Sequence, residues 1–119
     1  MQKVNIAEKF TLFTDYFSPK IIGDLNDSYV KVAKLKGEFT WHKHDNEDEL
    51  FLIIKGILRI QFEESEVELH PGELLIIPKG VLHCPVAEEE VHVILIEPKT
   101  TLNTGDVNHA LTKQTLDRI

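Results

Sequence analysis

Hydrophobic positions along the chain come in short runs, with a turn signal about every eight to twelve residues. That rhythm predicts an all-β fold, a sandwich or barrel of short antiparallel strands. Residues 29–35 alternate, with Val30 and Val32 sharing a face, and Leu58, Ile60 and Phe62 alternate with Arg59 and Gln61, as half-buried strands do. Three runs do not alternate: 50–54, 74–77 and, for the most part, 91–96. Strands that are apolar on both faces need cover on both. The barrel interior supplies one side; a second sheet, the amino-terminal segment or a partner chain must supply the other.

Helical spacing is confined to residues 3–17, where Ile6, Phe10, Phe13 and Phe17 fall on one stripe. Asn5 is placed to cap this helix, with Glu8 three residues on as in a capping box, and Ser18-Pro19 ends it. An edge strand at 19–25 turns at Asn26-Asp27. Glu63-Glu64-Ser65-Glu66 reads as an exposed hairpin tip, Pro71-Gly72 and the Pro78/Gly80 pair as turns, and Glu88-Glu89-Glu90 as a solvated loop. Beyond Pro98 the chain is polar loop with a short terminal helix over 111–116. No repeat or linker divides it, so the expectation is one domain over 1–119, with its core at 20–98, an amino-terminal segment 1–19 and a polar tail 99–119.

Composition bounds the function. The 119 residues suffice for a real core. A content of 42% hydrophobic and 28% charged residues is that of an ordinary globular protein. Apolar runs are far short of a membrane span, no basic-then-apolar leader follows Met1, and the single cysteine, Cys84, cannot form an internal disulfide. These features predict a cytoplasmic protein without membrane association. The net charge of −7 opposes a phosphate backbone, so no nucleic-acid partner is expected.

Chemistry concentrates in Gly37-Glu38-Phe39-Thr40-Trp41-His42-Lys43-His44-Asp45-Asn46-Glu47-Asp48-Glu49. His42 and His44 are two apart, so on a strand both imidazoles leave one face. A turn at Asp45-Asn46 would return Glu49, at the head of the next strand, beside them. His83 is a fourth candidate downstream. Two imidazoles and a carboxylate converging on one point begin a divalent-metal site. The remaining acids, Asp45, Glu47 and Asp48, read as a solvated link. Cys84 and Trp41, each next to a candidate histidine, should point away from it and serve structure; among the other histidines, His70 should be exposed, His92 packed in a strand, and His109 lies in the tail.

The glycine and histidine spacing extends the pattern. It runs Gly37, four residues, His42-x-His44, four residues, Glu49, six residues, Gly56; then Gly72, five residues, Pro78-x-Gly80, two residues, His83. These two blocks resemble the signature motifs of the cupin superfamily over about half the chain. One residue is missing between Gly37 and His42 relative to the family's usual spacing, and Ala87 stands where the family usually has Asn. The resemblance implies a small single-domain cupin, an antiparallel β-barrel or double-stranded jelly roll. It also implies a metal set of His42, His44, Glu49 and His83.

Three imidazoles and one carboxylate suit Zn²⁺, Fe²⁺, Mn²⁺, Ni²⁺ or Co²⁺ and do not resemble an all-oxygen calcium cage. Family members of this size include dioxygenases, sugar isomerases and non-catalytic ligand-binding domains. The expected function is therefore a metal-dependent enzyme, of dioxygenase or isomerase type, acting on a small molecule, with a small-ligand binding or sensing module as the alternative. No second acid, base or arginine clamp is recognisable. The doubly apolar strands further predict a homodimer.

Overall fold

The computed structural model describes all 119 residues. A five-residue helix α1 (Ile6–Phe10) precedes seven strands: β1 (Lys20–Leu25), β2 (Ser28–Glu38), β3 (Glu49–Lys55), β4 (Leu58–Gln61), β5 (Glu66–Leu69), β6 (Leu74–Ile77) and β7 (Cys84–Pro98). All pairings are antiparallel. The strands run in the order β1-β2-β7-β3-β6, and the β4–β5 hairpin joins through β4 to the first residues of β7. The sheet does not close, but it curls into a barrel-like jelly roll, as the strand rhythm predicts.

Strand β7 holds this arrangement together. Its residues Cys84, Pro85 and Val86 pair with β4, while its later residues pair with β2 on one side and β3 on the other. One strand therefore carries the chain from one wall of the core to the opposite wall. Thirteen buried residues fill the space between, among them Leu58, Ile60 and Leu69 from the hairpin side and Ala33, Leu35, Ile53 and Val93 from the other.

Two local readings need correction. Glu88-Glu89-Glu90 is not a separate loop but part of β7. It bulges out where β2 pairing jumps from Leu35↔Val91 to Gly37↔Ala87, and Gly37 takes φ of +91° at that irregularity, as a bulge in a strand does. The expected helix at 111–116 does not form; turns and bends occupy those residues, because Leu111 is drawn to the core instead of a helical stripe. No helix is long and apolar enough to cross a membrane.

The amino-terminal segment supplies part of the outer cover. The Asn5 side chain accepts from the Glu8 amide at 3.1 Å and caps α1, which is shorter than the expected 3–17. Phe10 and Phe13 pack on Val32 and Ile94 on the outside of β2 and β7, and Phe10 stacks on His92 with ring centroids 4.4 Å apart. Phe17 instead joins the inner core and stacks on Phe39 at 4.9 Å. The same cover does not reach the far edge, where Leu74 and Ile76 of β6 are each 53% exposed. Replacing Phe10 with Ala should lower unfolding free energy by about 3 kcal/mol, the usual loss for a buried ring. Chemical denaturation checks this, and a loss within error of zero would mean that the segment does not cover the sheet in solution.

Candidate metal centre

Three separate stretches deliver the four candidate side chains to one place. Beyond the end of β2, His42 pairs with His83 through two backbone hydrogen bonds, His42 N to His83 O at 3.0 Å and His83 N to His42 O at 2.9 Å. That bridge sets both imidazoles side by side, with ring centroids 4.4 Å apart. His44 follows two residues on, as expected for one strand face. After a bend at Asp45-Asn46, Glu49 opens β3. One donor atom from each of His42, His44, Glu49 and His83 lies within 4.8 Å of all the others. All four residues are at most 4% exposed.

The tautomers are set by the backbone. His42 Nδ1 lies 2.8 Å from the Thr40 carbonyl and His83 Nδ1 2.8 Å from that of Val81. A carbonyl only accepts, so both Nδ1 atoms carry the proton and both Nε2 lone pairs face inward, as in carbonyl-oriented metal ligands. Glu49 Oε2 lies 3.4 Å from His44 Nε2, and Oε1 the same distance from His83 Nε2. These distances are too long for good hydrogen bonds, and His44 Nδ1 and Nε2, Glu49 Oε1 and His83 Nε2 are buried without a partner. Buried polar atoms are nearly always satisfied. Unpartnered donors on His44, Glu49 and His83, gathered with His42 around one point, fit a set of residues that could hold one ion.

Electrostatics follow from burial. Loss of hydration, with His83 beside it, pushes the His42 imidazole down to about 4. For Glu49, burial opposes the charge, but its contacts with Glu97, His44 and His83 outweigh it and hold the carboxyl well below its usual range. Glu97 moves the other way: burial and the adjacent Glu49 push it well above that range. The opposite directions are those of two buried carboxyls set close together.

Glu97 and its partner Lys31 are the site residues that sequence reasoning missed. Lys31 Nζ and Glu97 Oε1 are 2.7 Å apart, and the residues are 1% and 2% exposed. A signal existed. Lys31 shares a strand face with Ala33 and Leu35, and Glu97 with Val93 and Leu95, all buried, so alternation alone points both inward. The other acids and histidines behave as expected. Asp45 and Asp48 are exposed and Glu47 half-buried, His70 and His109 are exposed, and none joins the cluster. Cys84 is buried, and burial together with Glu38 pushes its thiol up to about 11, which suits a structural role. Trp41 points away from the cluster but does not pack fully, being 38% exposed.

A cavity of about 40 Å³ opens beside His42, Glu49 and Glu97, walled by Ala33, Leu35, Phe39, Phe51 and Leu95. It has room for about three water-sized groups.

The fold and the site define a class: a small antiparallel jelly roll with a three-histidine, one-carboxylate set at its centre. Comparison with known proteins makes that class specific. Residues 28–97 match the family described as the Cupin domain. A cupin-2 domain protein of Shewanella frigidimarina NCIMB 400 is 43% identical, with a TM-score of 0.80 over 81% of this chain and 94% of that one. Protein NMB1881 from Neisseria meningitidis is 25% identical, with a TM-score of 0.76 over 82% of this chain and all of that one. Bacillus subtilis (strain 168) YdbB is 41% identical over 63 residues, 52% of this chain and 56% of that protein, so the match spans little more than half of that relative. The chain belongs to the cupin family.

The shifted His42 carries a pH signature of the metal-free protein. Its folded-state value of about 4 lies below the 6.5 of an unconstrained imidazole, so the unfolded chain binds the extra proton first. Stability should therefore be full above pH 6.5 and fall as pH drops toward 4, with a slope approaching about 1.4 kcal/mol per pH unit for one proton. Denaturation midpoints across that range test it, and a flat profile would mean that His42 is not buried in its neutral form.

Proposed function

We propose that the protein is a metal-dependent enzyme acting on a small uncharged molecule, with one divalent ion held by His42, His44, Glu49 and His83. Zn²⁺, Fe²⁺, Mn²⁺, Ni²⁺ and Co²⁺ all suit this donor set. The observation that carries the proposal is the convergence of partnerless buried donors on the edge of an apolar cavity. A bound ion would supply Lewis acidity and, if redox-active, electron transfer. The chain itself supplies the rest: Thr40 and Val81 carbonyls aim two imidazoles, and Phe39, Phe51 and Leu95 keep bulk water away.

Oxygenase-type chemistry is favoured over sugar-phosphate isomerisation by the charges. The buried cation at the site, Lys31, is already bound to Glu97. Arg59 pairs with Glu66 and Glu88, and Arg118 with Asp24. No free cation faces the cavity to bind a phosphate, and an apolar wall offers a sugar few hydrogen bonds. A second reading, a binding or sensing module, is supported by Glu97 being the only acid or base in the cavity beyond the ligands.

Protein purified without chelator should contain about one ion per chain, and a His42→Ala/His44→Ala double variant should lose it while keeping its β-sheet circular dichroism. Stoichiometric ion in the variant would reject the ligand set. Oxygen uptake by iron-loaded protein on a panel of small neutral compounds selects the enzyme, whereas a tightly bound compound without turnover selects the module.

We also propose a homodimer through the outer face of β3 and β6. Pairing register sets Ile96, Leu50 and Ile76 in one row and Leu52 beside Leu74 in the next. Leu52 and Ile96 pack toward the amino-terminal segment, but Ile54, Leu74 and Ile76 are exposed beyond its reach and continue the apolar face to the open edge of the sheet. Sedimentation should give twice the chain mass, and Ile76→Lys should shift it to monomer. A wild-type monomer at micromolar concentration would refute the interface.

A further inference from the structure

We propose that the carboxy-terminal segment, residues 100–119, is a strap that gates the metal centre, opening to admit ions and ligands and closing over them. The inference rests on the metal-centre reading for what passes beneath the strap, while the gating itself is argued from the strap's own contacts.

The strap is tied at both ends and makes few hydrogen bonds to the barrel between. At its far end it pairs with β1, through Ile21 N to Asp117 O at 2.9 Å and Ile119 N to Ile21 O at 3.1 Å, and Arg118 grips the Asp24 carboxylate at 2.9 and 3.2 Å. From 101 to 116, most of its hydrogen bonds are internal, such as Asn103 Nδ2 to Leu111 O and Thr104 Oγ1 to Val107 O. Its hydrogen bonds to the barrel over that stretch are three: Thr101 N to Pro98 O at 3.0 Å where the strap leaves β7, and two to Lys43, Asp106 N to Lys43 O at 3.0 Å and Lys43 N to Asp106 Oδ1 at 3.1 Å. A segment without helix or strand, fixed at its ends and joined to the barrel by few hydrogen bonds in the middle, where the packing of buried Thr104 and of Leu111 holds it closed, is the kind that opens locally without global unfolding.

Lys43 lies between two ligands, so the strap closes directly over the centre. Gly105, at φ of +59°, sits so near that an added Cβ would clash with the Lys43 carbonyl and meet His42 Cδ2 at 3.2 Å. Asn103 forms part of the cavity wall, opposite Phe17, and Leu111 packs on the main core. An outer cleft between Leu102, Gly105 and Asp106 on the strap and Asp45 and Glu47 on the barrel reaches His44. With the strap down, the ligands are at most 4% exposed and the cavity is about 40 Å³. Lifting the strap would remove Asn103 from the cavity wall and Gly105 from beside His42, and so widen the way in.

The test uses the full chain and two variants. Gly105→Ala adds the Cβ that the closed strap cannot accept, and Arg118→Ala loosens the far anchor without touching the centre. On metal-free protein, diethylpyrocarbonate modification is followed by mass spectrometry at His42, His44 and His83, with exposed His70 as reference. The three should react much more slowly than His70 in the wild type. They should react about tenfold faster in Gly105→Ala, the factor that 1.4 kcal/mol of lost closure gives, and roughly threefold faster in Arg118→Ala, as an exposed ion pair allows. With Zn²⁺ loaded, release to a competing chelator should accelerate in the same order while equilibrium affinity stays within about threefold, since a gate speeds entry and exit alike. Unchanged modification and release in Arg118→Ala would overturn the gate, even if Gly105→Ala fails to fold. Faster release matched by an equal loss of affinity would also overturn it, because the strap would then be only part of the binding site. Faster modification in protein that holds no Zn²⁺ would uphold the gate and defeat the metal reading.

Discussion

Four polar side chains with lone pairs turned inward, in a core otherwise built of apolar side chains, are the constraint on which the rest of this structure depends. Burying an unpaired nitrogen or oxygen costs about 1–3 kcal/mol, and several are buried here at one point. The arrangement fits a preformed donor set that could hold a cation. Its surroundings answer the same constraint. Backbone carbonyls of Thr40 and Val81 hold two imidazoles in one tautomer, and Glu97, paired with Lys31, is among the neighbours that hold the Glu49 carboxyl well below its usual range.

The same constraint gives β7 its importance. By pairing with β4 at one end and with β2 and β3 along the rest, it brings His83, just before its start, beside His42 and places Glu97, near its end, beside Glu49. The site is thus suspended between both ends of one strand. The long bulge at Glu88-Glu89-Glu90 lets the strand change partners, and Gly56 packs against it where a Cβ would meet the Glu90 carbonyl at 2.6 Å. The motif glycine is required there by close approach of backbone, with no direct part in the chemistry.

Charge shapes what the centre can receive. Lys31 pairs with Glu97 Oε1 inside the barrel, and the exposed arginines pair with acids on the surface. The cavity is left apolar, with acids and imidazoles along one edge. A fold that hosts many chemistries does not choose among them; these particular pairings are what supports the proposal of a small uncharged molecule.

Much of this is legible in the chain itself. The strand rhythm, the doubly apolar runs, the Asn5 cap and the His42-x-His44, Glu49, His83 spacing are local or periodic signals, and backbone geometry turns them into structure with little freedom. Strand alternation also carries the inward placement of Lys31 and Glu97, though a charged residue in an apolar run is easily read as solvent-facing. Only tertiary structure decides the remainder. The tail at 99–119 has no periodicity, so nothing local announces that Gly105 closes on Lys43 or that Leu111 enters the core instead of a helix. Nor does the sequence show that Phe10 and Phe13 cover the outer face while Phe17 turns inward. Those outcomes depend on contacts between residues far apart in the chain, which form only once the barrel exists to receive them.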